Sequence, residues 1–473
     1  MRFEHTTRLD HPHDEVIDWH ERPGALVRLT PPGLGGPEDP FAGGMEEGTR
    51  VTVRMGPPVL PGSLRPRWVL RHAQHERTED SLVFEDRQVT GPFGLWHHRH
   101  EILADTGQGG ARQEGADGAG GATLLRDRID LELPAPLAGQ EAAVTGQLER
   151  LMAFRSDQLR EDLDFHARYA ESPRVTVAIA GASGLIGTQL AALLTTAGHT
   201  VRRMVRREAR SDEEISWDPE RGVLDAGDLE GVDAVVNLAG RSIATRMNRR
   251  ARQEILSSRV SSGDLIARTL AGMTSGPRTL VQASAVGFYG AQRPGELLTE
   301  DDPGGDGFLA EVCSAWEATG NRAADAGIRV AHMRTGIVLS DAGGALLPQL
   351  PMFAVGLGGR LSRADAVISW ITLDDMVRSY AHALLSETVE GPVNAVGPHP
   401  ATTQELARTL GRVLRRPSVV PVPGFGPALL LGRTGATELV QADQRASSAK
   451  LEASGFTPAH PDLEGALRHV LRR

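Results

Sequence analysis

One cysteine, Cys313, in 473 residues excludes an intrachain disulfide framework and any cluster of thiolate zinc ligands, so a reducing cytoplasm is the expected setting. Basic charge is also short: 51 Lys and Arg against 61 Asp and Glu give a net charge of −10. That balance offers no electrostatic footprint for nucleic acid or an anionic membrane, and points to a small-molecule partner. No run approaches the roughly 18 apolar residues of a spanning helix. The opening MRFEHTTRLDHPHDEV has no apolar core of a signal peptide, and an unexported protein is expected. What the chain has is length, enough for two or three domains.

Residues 1–170 carry short alternating segments, RVTVRM (50–55), SLVFEDRQV (81–89) and LLRDRIDLEL (124–133), which predict a mostly antiparallel sheet. A glycine-rich stretch over 104–122 lacks large apolar residues and predicts a flexible loop. From Gln147 to Tyr169, Leu148, Leu151, Met152, Leu159 and Leu163 recur at helical spacing and predict one long amphipathic helix. After Pro173 the pattern changes to alternating strand-like and helix-like segments up to about residue 417, the grammar of a parallel sheet. Residues 418–473 predict a small, mainly helical cap.

The strand VTVAIA delivers GASGLIG, with Gly181, Gly184 and Gly187 at three-residue spacing before a good helix. Such a turn needs glycine at the sharp bend, at the approach to a pyrophosphate, and where helix lies against strand. Phosphate then rests on the free N–H groups of the helix N-terminus. The next strand, TVRRMVRRE, ends in Arg206 and Arg207 in place of the acidic residue that accepts the ribose hydroxyls of NAD. This favours the 2′-phosphate of NADP(H) over NAD(H); a solvated basic turn is the plainer alternative.

GASGLIG, ISWDPERG (215–222), GVDAVVNLAG (231–240), ASAVGFYG (283–290), RTGIVLS (334–340) and SWITLDDMV (369–377) follow one another in this order. Together they resemble the atypical extended short-chain dehydrogenases/reductases, and within them the epimerase-family (NAD-dependent epimerase/dehydratase-like) proteins with a C-terminal domain of unknown function. The resemblance runs from Arg174 to the end. It implies cofactor contacts from Gly181, Ser183, Gly184, Leu185, Ile186 and Gly187. It also implies Arg206 at the 2′-phosphate and Leu238, Ala239 and Gly240 along the adenine-ribose side. Ser284 falls near the superfamily's active-site serine. EHTTRLDHPHDEVIDWHERPG, with the sheet and long helix that follow, resembles the START-like, polyketide-cyclase-related (SRPBCC) superfamily and implies an apolar ligand between sheet and helix. The expected architecture is therefore an α/β Rossmann-type doubly wound parallel sheet over 174–417 with a small cap over 418–473, preceded by an α+β helix-grip domain over 1–170.

The superfamily's Tyr-x-x-x-Lys pair, in which the lysine lowers the tyrosine pKa, is missing. Its slots fall at Leu309 and Cys313, and none of Tyr169, Tyr289 and Tyr380 has a lysine four residues on. The resembled epimerase-family proteins share this lack. If chemistry occurs, Tyr289 is the expected proton donor and Ser284 the carbonyl orienter, against a reading in which Tyr289 packs and Ser284 bonds backbone. Cys313 is expected to pack. Trp316 is expected to pack and Glu317 either to touch substrate or to close an ion pair. WDP (217–219) reads as a rigid loop, and Arg246, Arg249, Arg250 and Arg252 as a solvated helix face. His98 and His100 share a strand face, but no third ligand is evident and no metal is expected.

Three functions remain open on the sequence: an NADP(H)-dependent oxidoreductase or sugar-epimerase-like enzyme, a non-catalytic NADP(H) sensor or scaffold, and a hydrophobic-ligand-binding protein acting through residues 1–170.

Overall fold

The computed structural model describes residues 1–41, 44–57, 60–105, 121–135, 138–418, 420 and 425–473. Most of the loop expected over 104–122 lies outside the described residues. The chain forms two compact units, Met1–Glu171 and a second that runs from Ser172 to Leu471 apart from Thr195–Gly198. No helix among the described residues is long and apolar enough to cross a membrane.

The first unit is a seven-stranded antiparallel sheet of β1 (Arg2–Leu9), β2 (Gly35–Pro37), β3 (Arg50–Met55), β4 (Arg67–Arg77), β5 (Ser81–Thr90), β6 (Leu95–Ala104) and β7 (Thr123–Glu132). Their spatial order is β1-β7-β6-β5-β4-β3-β2. Two short helices, α1 (His13–Glu21) and α2 (Ala25–Leu29), follow β1, and the 27-residue α3 (Glu141–Ala167) closes the unit. On β6, Trp96, His98, His100 and Ile102 are buried, and on β7, Leu125, Asp127, Ile129 and Leu131, the period-two pattern of a sheet with one covered face. Leu148 and Met152 of α3 pack with Trp96, Ile129 and Leu131, whereas Leu159 and Leu163 pack with Leu82, Phe84, Ile102 and Leu125. The apolar interior thus falls into two clusters. A buried ion pair, Arg28 with Asp162 of α3 at 2.7 and 2.8 Å, adds a fixed polar contact at α2.

The second unit holds an eight-stranded sheet in the order β11-β10-β9-β8-β12-β13-β15-β19. Its members are β8 (Thr176–Ala180), β9 (Thr200–Val205), β10 (Glu214–Asp218), β11 (Val223–Leu224), β12 (Ala234–Asn237), β13 (Thr279–Ala285), β15 (Arg329–Thr335) and β19 (Gly391–Ala395). All pair in parallel except the edge strand β11. The chain steps outward from β8 to β11 on one side and from β12 to β19 on the other, so the strand order reverses between β8 and β12. Ligands of doubly wound sheets bind at the carboxyl ends of the strands at such a switch point. Crossover helices include α4 (Leu185–Thr196), α5 (Arg249–Gly272) and α6 (Phe308–Asp325).

Between and after these lie three small ladders. Strand β14 (Gln292–Leu298) pairs with β21 (Asp443–Ala446), β16 (Ile337–Leu339) with β18 (Trp370–Thr372), and β17 (Val367–Ile368) with β20 (Ala401–Thr402). The helices of this part are α7 (Leu350–Ala354), α8 (Leu373–Leu385), α9 (Thr403–Leu414), α10 (Phe425–Gly435), α11 (Ala449–Ala453) and α12 (Leu463–Leu471). Ala466, Leu467, Val470 and Leu471 of α12 share a core with Leu339, Trp370, Leu410 and Val413. The terminal residues are therefore part of the second unit's packing.

Candidate functional site

The turn after β8 is built as the sequence requires. Gly181 has φ +84°, and a Cβ there would stand 2.8 Å from the backbone carbonyl of Leu238. A Cβ on Gly187 would meet the Gly181 oxygen at 2.2 Å, and one on Gly184 would meet the same oxygen at 3.3 Å. Glycine therefore brings the turns after β8 and β12 into contact at the switch point. Leu238 N–H donates to Ala180 O at 2.9 Å and Ala239 N–H to Asn237 Oδ1 at 3.1 Å, which fixes the second turn. Ser183, Gly184 and Gly240 are exposed, Leu185, Ile186, Leu238 and Ala239 are half-buried, and Gly187 is buried.

The two arginines after β9 divide their work. Arg207 holds Glu214 of β10 by two bonds of 2.7 and 2.6 Å. Arg203 stands 3.2 Å from the same carboxylate, and Arg210 N–H donates to it at 2.9 Å. The bonds from Arg207 lead in holding the Glu214 carboxyl down to about 2. Arg206 is exposed and has no carboxylate partner among the described residues. A fork of five donors at this strand end suits a phosphate.

At the carboxyl end of β13, Ser284 is the direct register partner of Arg334 on β15, which is in turn the partner of Asn394 on β19. Ser284 Oγ donates to Glu317 Oε1 of α6 at 2.6 Å. Arg334 binds the same carboxylate through Nε and Nη2, both at 2.9 Å, and donates from Nη1 to Tyr289 OH at 2.9 Å. Tyr289 OH also lies 2.8 Å from Asn394 Oδ1 and 2.9 Å from Thr299 O. Arg334 lies 3.6 Å over the Phe288 ring. Burial opposes its charge, but the Glu317 bonds outweigh that and its pKa lies above the usual value. Ser284 and Tyr289 are thus joined through Glu317 and Arg334, and Tyr289 is fully buried with its pKa raised by burial.

On α6, Leu309 and Cys313 are buried, and the Cys313 thiol is pushed up to about 12, by burial first and the Glu317 charge second. The chain's single lysine, Lys450, is far along the sequence and donates to the carbonyls of Glu390 and Pro392 at 3.0 and 2.7 Å. A cation does face Cys313: Arg259 of α5 lies 4.9 Å from the Trp316 ring centroid, bonds the carbonyls of Arg241 and Ile255, and has its pKa lowered by burial. Trp217 of the WDP segment is buried in the core. Asp218 Oδ1 accepts from the N–H groups of Glu220 and Arg221 at 3.0 and 3.1 Å, so this segment is a turn anchor. Arg246, Arg249 and Arg250 are exposed, and Arg250 pairs with Glu254 one turn on.

Two residues beyond 417 support this site. Glu438 accepts from the first backbone N–H groups of α6, Phe308 at 3.0 Å and Leu309 at 2.6 Å. Gln444 of β21 donates to Val286 O at 3.0 Å and Gly290 O at 2.6 Å, holding the turn that carries Tyr289. Arg334, Arg259, Glu438 and Gln444 were not singled out by sequence reasoning. Arg334 opens the RTGIVLS motif, yet its partner Glu317 is on another element, and local spacing does not show that pairing.

Residues 177–340 match the NAD dependent epimerase/dehydratase family and residues 422–470 a domain of unknown function, DUF1731. The chain is 41% identical over 298 residues to the epimerase family protein MT2273 of Mycobacterium tuberculosis, covering 63% of this chain and 98% of that one. The chain belongs to the NAD dependent epimerase/dehydratase family. The human epimerase family protein SDR39U1, solved with NADPH, is 31% identical with a TM-score of 0.57, covering 62% of this chain and 98% of that one. A structure described as the nucleoside-diphosphate sugar epimerase of Corynebacterium glutamicum is 32% identical with a TM-score of 0.78, covering 99% of this chain and 90% of that one. The START-like resemblance of residues 1–170 gains no support from these relatives. What stands for that unit is the antiparallel sheet and its helices.

Proposed function

We propose that this epimerase-family chain binds NADP(H) at the switch point between β8 and β12, with a small-molecule alcohol or carbonyl at the carboxyl end of β13. The observation that carries this reading is the glycine cradle together with Arg206. The exposed backbone of Ser183 and Gly184 receives the pyrophosphate at the N-terminus of α4, and Arg206 receives the 2′-phosphate while Arg207 is spent on Glu214. Human SDR39U1 with NADPH supports the choice of nucleotide. The cofactor supplies hydride transfer; the protein supplies position and electrostatics.

Ser284 is the residue of the hydrogen-bonded row that orients a substrate hydroxyl, accepting its proton while its own is directed at Glu317. Arg334 keeps that carboxylate in one orientation by its two-pronged grip. Tyr289 closes the row and holds Arg334 in place, a part better suited to its full burial than proton donation to a substrate. Arg259 of α5 supplies a positive charge that acts on Cys313, the position at which the superfamily has lysine.

A second reading, a sensor that binds NADP(H) without turnover, is favoured by Leu309 and Cys313 buried in the tyrosine and lysine slots. The START-like reading of 1–170 is retained as a proposal on the strength of a seven-stranded antiparallel sheet closed by one long helix. The boundaries 174–417 and 418–473 likewise remain our proposed division.

The test is titration of the cofactor-free protein with NADPH and NADH, repeated with Arg206→Ala. NADPH preference that the substitution removes selectively supports the site; failure of both nucleotides to bind overturns it. Nicotinamide oxidation or reduction with sugar-nucleotide and simple carbonyl substrates then separates enzyme from sensor.

A further inference from the structure

The two apolar clusters of the first unit are separated by charged and titratable side chains. His98 and His100 lie two residues apart on β6 and face the interior; Asp127 on β7 is the direct register partner of His100. His98 Nε2 is 2.9 Å and His100 Nδ1 2.7 Å from one oxygen, Asp127 Oδ1. All three residues are buried, and their three ligating atoms lie within 4.8 Å of one another. We propose that His98, His100 and Asp127 form a binding site for one divalent first-row transition ion such as Zn²⁺.

The donor set has the chemistry of such a site. Imidazole nitrogen and carboxylate oxygen bind these ions at about 2.0–2.2 Å, which in a tetrahedral arrangement sets ligand atoms about 3.3 Å apart. The two separations to Asp127 Oδ1 need to open by only about half an ångström, within the reach of side-chain rotation. The surroundings also hold the rings as outer-shell groups do at metal centres. The far nitrogen of His100 faces Asp86 Oδ2 at 3.5 Å, and Asp86 Oδ1 in turn meets His72 Nδ1 at 2.7 Å. Phe84 stacks on His100 with centroids 4.1 Å apart, and Trp96 sets its edge to His98 at 6.1 Å.

Two carboxylates, Asp127 and Asp86, supply the negative charge that a dication requires, against Arg155, whose charge also reaches both imidazoles. Three protein ligands leave a position open, the pattern of a metal that takes water or an exogenous ligand. The sequence shows the His-x-His spacing alone, because the third ligand comes from a strand that lies beyond the glycine-rich stretch.

The full-length protein, stripped with a chelator, is titrated with Zn²⁺ in competition with a chromophoric chelator and with Co²⁺ by its visible absorption. One equivalent is expected, with affinity reduced roughly tenfold or more in His98→Gln and in Asp127→Asn and less in Asp86→Asn. X-ray absorption at the metal edge of the wild-type protein is expected to count two imidazoles. Failure of the wild-type protein to bind an equivalent overturns the site. An undiminished equivalent in a variant whose circular dichroism matches the wild type also overturns it. If the substitutions unfold the chain, the wild-type absorption spectrum decides: an edge without two imidazole ligands removes the proposal.

Discussion

Arg207 and Glu214, seven residues apart, are locked by two short bonds, whereas the adjacent Arg206 is exposed and has no carboxylate partner among the described residues. The pair makes the neighbouring arginines non-equivalent. Arg206→Ala is expected to weaken NADPH at least tenfold with little change for NADH. Arg207→Ala is expected to leave the NADPH-to-NADH ratio within a factor of about three and to lower the melting temperature instead. Equal loss of preference in both variants would refute the division.

The same pair sets an acid dependence. The Glu214 carboxyl is held down to about 2 from an ordinary 4.5. Its contribution to stability is fully present above pH 4.5 and is lost as pH falls through about 2. Glu214→Gln is expected to destabilise the protein at pH 7 and to flatten the decline between those values. Urea unfolding at pH 7, 4 and 3 measures both, and parallel pH curves for variant and wild type would count against the assignment.

At the glycine turn after β8, space grades two substitutions. Gly187→Ala forces a carbon against the Gly181 carbonyl and is expected to cost about 1–3 kcal/mol, seen as a lower unfolding midpoint. Gly184→Ala meets its neighbour at 3.3 Å and is expected to cost under about 1 kcal/mol while still weakening NADPH. A reversed order of stability would contradict the described packing.

Cys313 is expected to be inert. With its thiol pushed up to about 12 by burial, the native protein should not react with iodoacetamide at pH 8, and the alkylation rate should rise only with unfolding. Cys313→Ala is expected to bind NADPH within a factor of about two of wild type. Rapid labelling of the folded protein would show that the thiol is accessible after all.

In the first unit, Arg28 and Asp162 are both fully buried. Asp162→Ala leaves a buried guanidinium short of its carboxylate and is expected to cost roughly 3–5 kcal/mol, whereas Arg28→Met with Asp162→Leu costs far less. Chemical denaturation of the three proteins tests this, and a double variant as unstable as the single one would be the contrary result.

Much of the fold was legible where local chemistry decides structure. RVTVRM coincides with β3, SLVFEDRQV ends one residue short of β5, and LLRDRIDLEL is offset by one from β7. The glycine spacing marked the tight turn that forms after β8, because glycine's backbone freedom acts close to its own position. The long helix was read from Gln147 but begins at Glu141. Gly146 costs about 1 kcal/mol in a helix, and tertiary packing of the remaining turns overrides it. What the sequence left hidden depends on partners far along the chain: Glu317 under Ser284, Arg334 against Tyr289, and Asp127 beside His98 and His100. Tyr289 illustrates the limit, since its sequence neighbourhood does not show that Asn394 Oδ1 and Thr299 O lie 2.8 and 2.9 Å from its hydroxyl.

The bonds from Glu438 and Gln444 to α6 and to the turn at 286–290 also impose an order in time. A chain emerging from the ribosome has its glycine turn and all eight strands of the large sheet before either residue exists. The segment carrying Tyr289 and the start of α6 gain these bonds only once β21 lies alongside β14. A chain that stops before residue 438 would therefore have its glycine turn complete and α6 without the Glu438 cap, and it is expected to lose order around α6 before it loses the turn.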